Sequence, residues 1–171
     1  LARLADVVDT ATAAFDDYHY TRALEAAETF FWSFTDDHLE LVKDRAYGGR
    51  GEAAKASALA ALSLALSTQL RLLAPFLPFV TEEVWSWWQD GSVHTAAWPT
   101  SEGLRAPAGD PSVVDAAAAV LSELRKVKSE AKVSMRTDLT GVTVSGPAEL
   151  VTAAASVADD LIAAGRVVDG I

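Results

Sequence analysis

Apolar residues return every three or four positions through most of the first 88 residues, and that spacing commits this part of the chain to packed helices. In residues 1–18 the series is Leu4, Val7, Ala11, Ala14, Phe15 and Tyr18. A second helix is predicted from Thr21, an N-cap residue by type, to about Tyr47, where Gly48 and Gly49 permit a left-handed stop. Such a helix would be about 40 Å long. A third, over 52–74, carries Leu59, Leu62, Leu66, Leu70 and Leu73 on one stripe and ends before Pro75. Pro78 then opens a short aromatic helix to Trp88. The expected architecture over 1–88 is therefore mainly α, an antiparallel helical bundle.

Residues 89–111 change character, with Gly91, Pro99, Gly103, Pro107, Gly109 and Pro111 interrupting any helical period, and read as a linker. Beyond them a small α/β subdomain is predicted over 112–171. Asp110 as N-cap and Pro111 at the first helical position start a helix to about Lys132, with Val113, Ala117, Val120, Leu124, Val127 and Ala131 as its seam. A β-like run over 139–145, a helix with Leu150, Ala154, Val157 and Leu161 inward, and a second short strand after Gly165 together predict a βαβ unit.

Composition narrows the function. With 14 basic and 24 acidic residues the net charge is −10, so any polyanion must meet a local basic patch. The charge is segregated: residues 1–40 hold nine acids and two bases, whereas 121–140 hold five bases and three acids. No cysteine is present, which excludes disulfides, thiolate zinc sites and a cysteine nucleophile. The most apolar window, 56–74, is broken by Ser57, Ser63, Ser67, Gln69 and Arg71 and reads as a buried helix, not a membrane span. Nothing resembles a signal peptide, so the expected location is cytoplasmic.

Catalytic constellations are thin. His19, His38 and His94 lie on different segments without metal-ligand spacing, and the adjacent pairs Asp16 and Asp17, Asp36 and Asp37, and Glu82 and Glu83 diverge by about 100° on a helix. The glycines at 48, 49 and 51 lack the preceding strand and the Lys-Ser/Thr ending of a phosphate loop. No catalytic residue, metal site or cofactor is assigned. The informative stretch is 28–47, where Phe31, Phe34, Leu41 and Val42 fit a buried stripe while Trp32, Asp36 and Lys43 fall on another side. A helix aromatic on more than one side must meet more than one neighbour. Trp32 reads as packing against a second layer, with base stacking as the alternative.

Three blocks carry a resemblance: FFWSFTDDHLELVKDRAY at 30–47, LRLLAPFLPFVTEEVWSWW at 70–88 and SVHTAAWP at 92–99. In that order and roughly that spacing they resemble the C-terminal region of bacterial valyl-tRNA synthetases. The second block alone is shared by isoleucyl, leucyl and valyl enzymes and marks the class I anticodon-binding helical domain; the first carries the choice of valine. The isoleucyl and leucyl domains, and a non-catalytic helical protein-interaction module, remain the alternatives.

The resemblance implies a fragment of a longer synthetase whose catalytic and editing domains, and a coiled-coil arm after Ile171, lie outside this chain. The parent would ligate valine to its tRNA using ATP with magnesium, while this part, inactive by itself, docks the anticodon stem and loop of tRNA(Val). Its other partners would be the remaining synthetase domains, with no DNA and no membrane. Anticodon reading needs phosphate-positioning cations and stacking surfaces. The candidates are Lys43, Arg45, Arg50 and Lys55 near the second helix turn, Arg125, Lys128 and Lys132 along the basic helix, and Trp32.

Overall fold

The computed structural model describes residues 1–105 and 109–171; Pro107 of the expected linker lies outside the described residues. The chain is mainly helical: α1 (Ala2–Asp16), α2 (Tyr20–Ser33), a π-helical turn (Phe34–His38), α3 (Leu39–Ala46), α4 (Glu52–Leu73), α5 (Pro78–Ser86), a 3-10 turn (Val93–Thr95), α6 (Glu102–Arg105), α7 (Pro111–Glu130), α8 (Ala148–Ala155) and α9 (Ala158–Gly165). Two compact units result, one from Leu1–Phe34 with Leu59–Gly109, the other from Thr35–Ala58 with Asp110–Ile171.

The first unit closes around small residues. Ala5, Ala11 and Ala14 of α1 and Ala23 and Ala27 of α2 are buried together with Leu4, Val8, Ala65, Leu72 and Leu104, and alanine at these positions lets helices approach closely. Phe15 meets Trp98 edge-on at 5.2 Å, and the Trp98 indole N–H donates to Thr12 Oγ1 at 2.9 Å. Trp85 belongs to a satellite core with Leu70, Ala74 and Val93. The aromatic cluster expected at this end divides. Phe76 packs on the core, but Phe79 is 90% and Trp87 69% exposed.

Several expectations need correction. Tyr18, at φ 61, reverses the chain, so α2 starts at Tyr20 and Thr21 caps nothing. The segment predicted as one helix to Tyr47 is helical throughout from Tyr20 to Ala46, but it carries a π turn at Phe34–His38, which adds a residue to one turn and shifts the apolar stripe. Phe34 accordingly packs on the first core and Leu41 on the second. On α4 the buried residues are Ala58, Ala65, Thr68, Gln69, Leu70 and Leu72; of the predicted stripe Leu70 is buried and Leu73 packs on the first core, whereas Leu59 and Leu66 are exposed. The Gly48 stop stands, at φ +94, as do Pro78 and the Asp110 cap, whose Oδ1 accepts from Ser112 N at 2.9 Å.

The βαβ unit does not form. Among the described residues a single parallel bridge, Leu139 with Val167, is held by Leu139 N to Arg166 O at 2.8 Å and Val168 N to Leu139 O at 3.0 Å. Gly141, at φ +65, turns the chain out of the ladder after one pair, and the predicted crossover helix is two short helices broken at Val157. The second unit instead rests on α7, whose Ala117, Val120, Leu121 and Leu124 pack with Leu41, Ala154, Leu161 and Val167. Gly165 lies close under Leu124, where a Cβ would meet Leu124 Cδ1 at 2.5 Å and the leucine tip would have to shift.

The corrected α4 register makes a paired prediction. Leu72→Ala, at a side chain 1% exposed, should cost about 2–5 kcal/mol by urea denaturation, and Leu66→Ala, at 38% exposed, under about 1 kcal/mol. Equal costs would restore the sequence-derived stripe.

Candidate nucleic-acid interface

The charged side chains of the second unit sort into those held by structure and those left to solvent. Arg45, on the last turn of α3, grips Asp160 of α9 with two hydrogen bonds, Nε to Oδ1 at 2.7 Å and Nη2 to Oδ2. Asp160 is only 4% exposed, and its hydrogen bond holds the Arg45 guanidinium above its usual pKa. Arg50 bridges Asp44 at 3.2 Å and Asp159 at 2.5 Å and lies 3.7 Å from Asp160. Two arginines thus face three carboxylates, and neither presents a free charge. His38, at the head of α3, has its pKa lowered, mainly by burial and also by Arg45.

The other predicted cations differ. Lys43 pairs with Glu40 at 3.1 Å but stays half exposed, and Lys55 lies 4.0 Å from Glu52. Arg125 donates to Asp37 Oδ1 at 3.2 Å and to the Asp36 carbonyl at 2.6 Å. Lys132, at φ 53 beyond the end of α7, is exposed and has no ion pair among the described residues. Trp32 is 55% exposed, its indole N–H 3.5 Å from Glu28 Oε1 and its ring edge-on to Phe31.

Lys128 corrects the predicted basic stripe. It is 3% exposed, and its ammonium donates to the Met135 carbonyl at 3.0 Å and the Gly165 carbonyl at 2.9 Å. Helical spacing placed it beside Arg125 and Lys132 but could not show that the chain folds back over it. Val127, assigned to the seam, is exposed instead.

Over this clamp lies a cleft of about 580 Å³ whose lining includes Lys43, Arg125, Lys128, Arg136 and Arg166 against two carboxylates, Glu40 and Asp44. Tyr47 and Met135 also line it. Sequence reasoning missed Tyr47, Met135, Arg136 and Arg166. The available signal was the stop at Gly48, which leaves Tyr47 at a helix C-terminus with its ring 82% exposed. Among the described residues the Arg136 guanidinium makes no ion pair or hydrogen bond, whereas Arg166 pairs with Asp138 at 2.7 Å.

The family model for the anticodon-binding domain of tRNA ligase matches residues 1–143. The chain belongs to that family. The domain is 59% identical over 169 residues to a valine--tRNA ligase of Thermobifida fusca, covering 98% of this chain and 19% of the relative. It is 52% identical to that of Salinispora tropica, covering 98% of this chain and 21% of the relative, and 52% identical to that of Cutibacterium acnes, covering 94% and 19%. The chain therefore spans about a fifth of the length of these relatives.

Replacing Lys128 with Met should cost about 1–3 kcal/mol in chemical denaturation, because two carbonyls lose their donor, whereas Lys132→Met should stay within about 0.5 kcal/mol. Burial, with the Arg166 charge, lowers the Lys128 pKa from its ordinary 10.5. The unfolded chain thus keeps this proton to higher pH than the folded one, and the Lys128 contribution to stability rises as pH climbs from its lowered folded value to 10.5. The Met variant should lack that rise. Equal stability of Lys128→Met and the parent would show that the clamp carries no energy.

Proposed function

We propose that this domain docks the anticodon stem and loop of tRNA(Val) for a cytoplasmic valine--tRNA ligase, whose other domains join valine to that tRNA with ATP. The observation that carries the reading is the anticodon-binding match over residues 1–143 together with 59% identity to one valine--tRNA ligase along nearly the whole chain. Charge agrees. Ten of the fourteen Lys and Arg residues fall in the second unit, which also holds the cation-lined cleft. A net acidic chain that binds RNA needs such local concentration.

We assign no magnesium or ATP site to this domain. Among the described residues no group of three His, Asp or Glu side chains is placed to hold a metal ion. The carboxylates that do converge, Asp44, Asp159 and Asp160, are taken up by Arg45 and Arg50. Its contribution to aminoacylation is docking and orientation. Lys43, Lys132 and Trp32, which are exposed, and Lys55, which is half-buried, are the groups we assign to RNA contact, while Arg45, Arg50 and Lys128 hold the surface in shape.

Anisotropy titration of labelled tRNA(Val), and of a tRNA with a different anticodon, tests this. Binding should be weak, should favour tRNA(Val) and should fall steeply with salt, each phosphate contact adding about 0.7–0.9 to the log–log slope. Lys132→Ala should lower the slope by about that amount without changing preference among tRNAs. No saturable binding at low salt, or equal binding of both tRNAs, would refute the proposal.

A further inference from the structure

We infer that the cleft lined by Tyr47 and Arg136 is a pocket for one unstacked RNA nucleotide, its base on the Tyr47 ring and its phosphate on the Arg136 guanidinium with Lys43 alongside. The inference rests on the tRNA-docking reading and assigns it a site.

Four observations converge. A volume of about 580 Å³ is within the range of small-ligand sites, about 300–1,000 Å³. Tyr47 holds an aromatic face open at the cleft, 82% exposed and without a ring partner among the described residues. An exposed ring on a rigid helix end stacks on a base at little entropic cost. Arg136 is the lining cation without a protein partner among the described residues, and its backbone is fixed by a turn in which its N–H donates to Ser134 Oγ at 3.2 Å and Thr137 N donates to Ser134 O at 2.9 Å.

The floor is preorganised. Lys128 ties the Met135 carbonyl, one residue from Arg136, to the Gly165 carbonyl at the end of α9. The residue as a whole is 3% exposed, and its ammonium is held by those two carbonyls. Lys128 is thus a positioning residue for the loop that presents Arg136.

The mixture of charges selects the ligand class. Glu40 is paired with Lys43, Asp44 with Arg50, Arg125 with Asp37 and Arg166 with Asp138, so the exposed lining leaves one cation without a protein partner among the described residues, Arg136, which suits one phosphate better than a polyphosphate or a tracked duplex backbone. One phosphate beside a neutral, stackable base fits that lining. Met135, half exposed, offers a soft apolar contact to the sugar or base edge.

The test uses the chain itself with a labelled RNA hairpin of the anticodon stem and loop, and a blunt duplex of the stem alone. Tyr47→Ala should weaken hairpin binding about 5- to 150-fold and leave the duplex unchanged, while Tyr47→Phe keeps the ring and full affinity. Arg136→Gln should lower the hairpin's log–log salt slope by about 0.7. Both side chains are exposed, and unchanged thermal melts would show that the variants fold. If the parent chain binds the hairpin and Tyr47→Ala binds it as tightly, the pocket is wrong and the tRNA reading stands. If the parent chain binds neither hairpin nor tRNA, that reading falls and the pocket with it.

Discussion

A carboxylate that is only 4% exposed needs partners for its oxygens, and Asp160 is the group on which the second unit turns. Arg45 compensates it with a two-pronged grip and Arg50 adds a further charge at 3.7 Å. That contact fixes α3 against α9, which α7 also meets in the same core. With the two helices fixed, the end of α3 and the loop after α7 border one cleft, the first carrying Tyr47 and the second Arg136. Buried ion pairs seldom add net stability over a well-packed apolar core, but the two-pronged geometry of this one, with Asp160 buried and Arg45 partly exposed, permits few arrangements of the two helices. Here the arrangement defined is the wall of the candidate site.

The same network limits how this acidic chain can meet a polyanion. A cation engaged at close range by a carboxylate contributes little field, so the number of basic residues overstates the attraction available. Arg45, Arg50 and Arg125 are committed to carboxylates, and Lys128 to carbonyls. The positive potential that remains is concentrated where the carboxylates thin out, around the 132–136 loop. Recognition from so few free charges has to draw on stacking and shape, which is how unpaired RNA bases are read.

Much of the helical frame was legible. Gly48, Pro78 and the Asp110 and Pro111 pair act through backbone geometry at their own positions, so local sequence suffices to place them. The three sequence blocks carried the family. What escaped the sequence depends on contacts distant along the chain. The π turn at Phe34–His38 has no turn residue to announce it, and without it the aromatic stripe looks continuous to Leu41. Lys128 obeys helical periodicity while its carbonyl partners lie 7 and 37 residues away. The strand pair failed because β pattern in 139–145 says nothing of how many rungs a partner supplies, and Gly141 ends the pairing after one. For the site, basic residues were visible by type, but which of them are neutralised was not. Tyr47 looked like part of a helix end until its exposure was known.

On the proposed reading, RNA meets the second unit at the rim of its cleft. Amide chemical-shift mapping of the isotopically labelled chain, titrated with an anticodon stem and loop RNA, tests it directly. Shifts should cluster at Tyr47, the 132–136 loop and the end of α9. Shifts confined to Leu1–Phe34 and Leu59–Gly109, with the cleft residues unmoved, would contradict it.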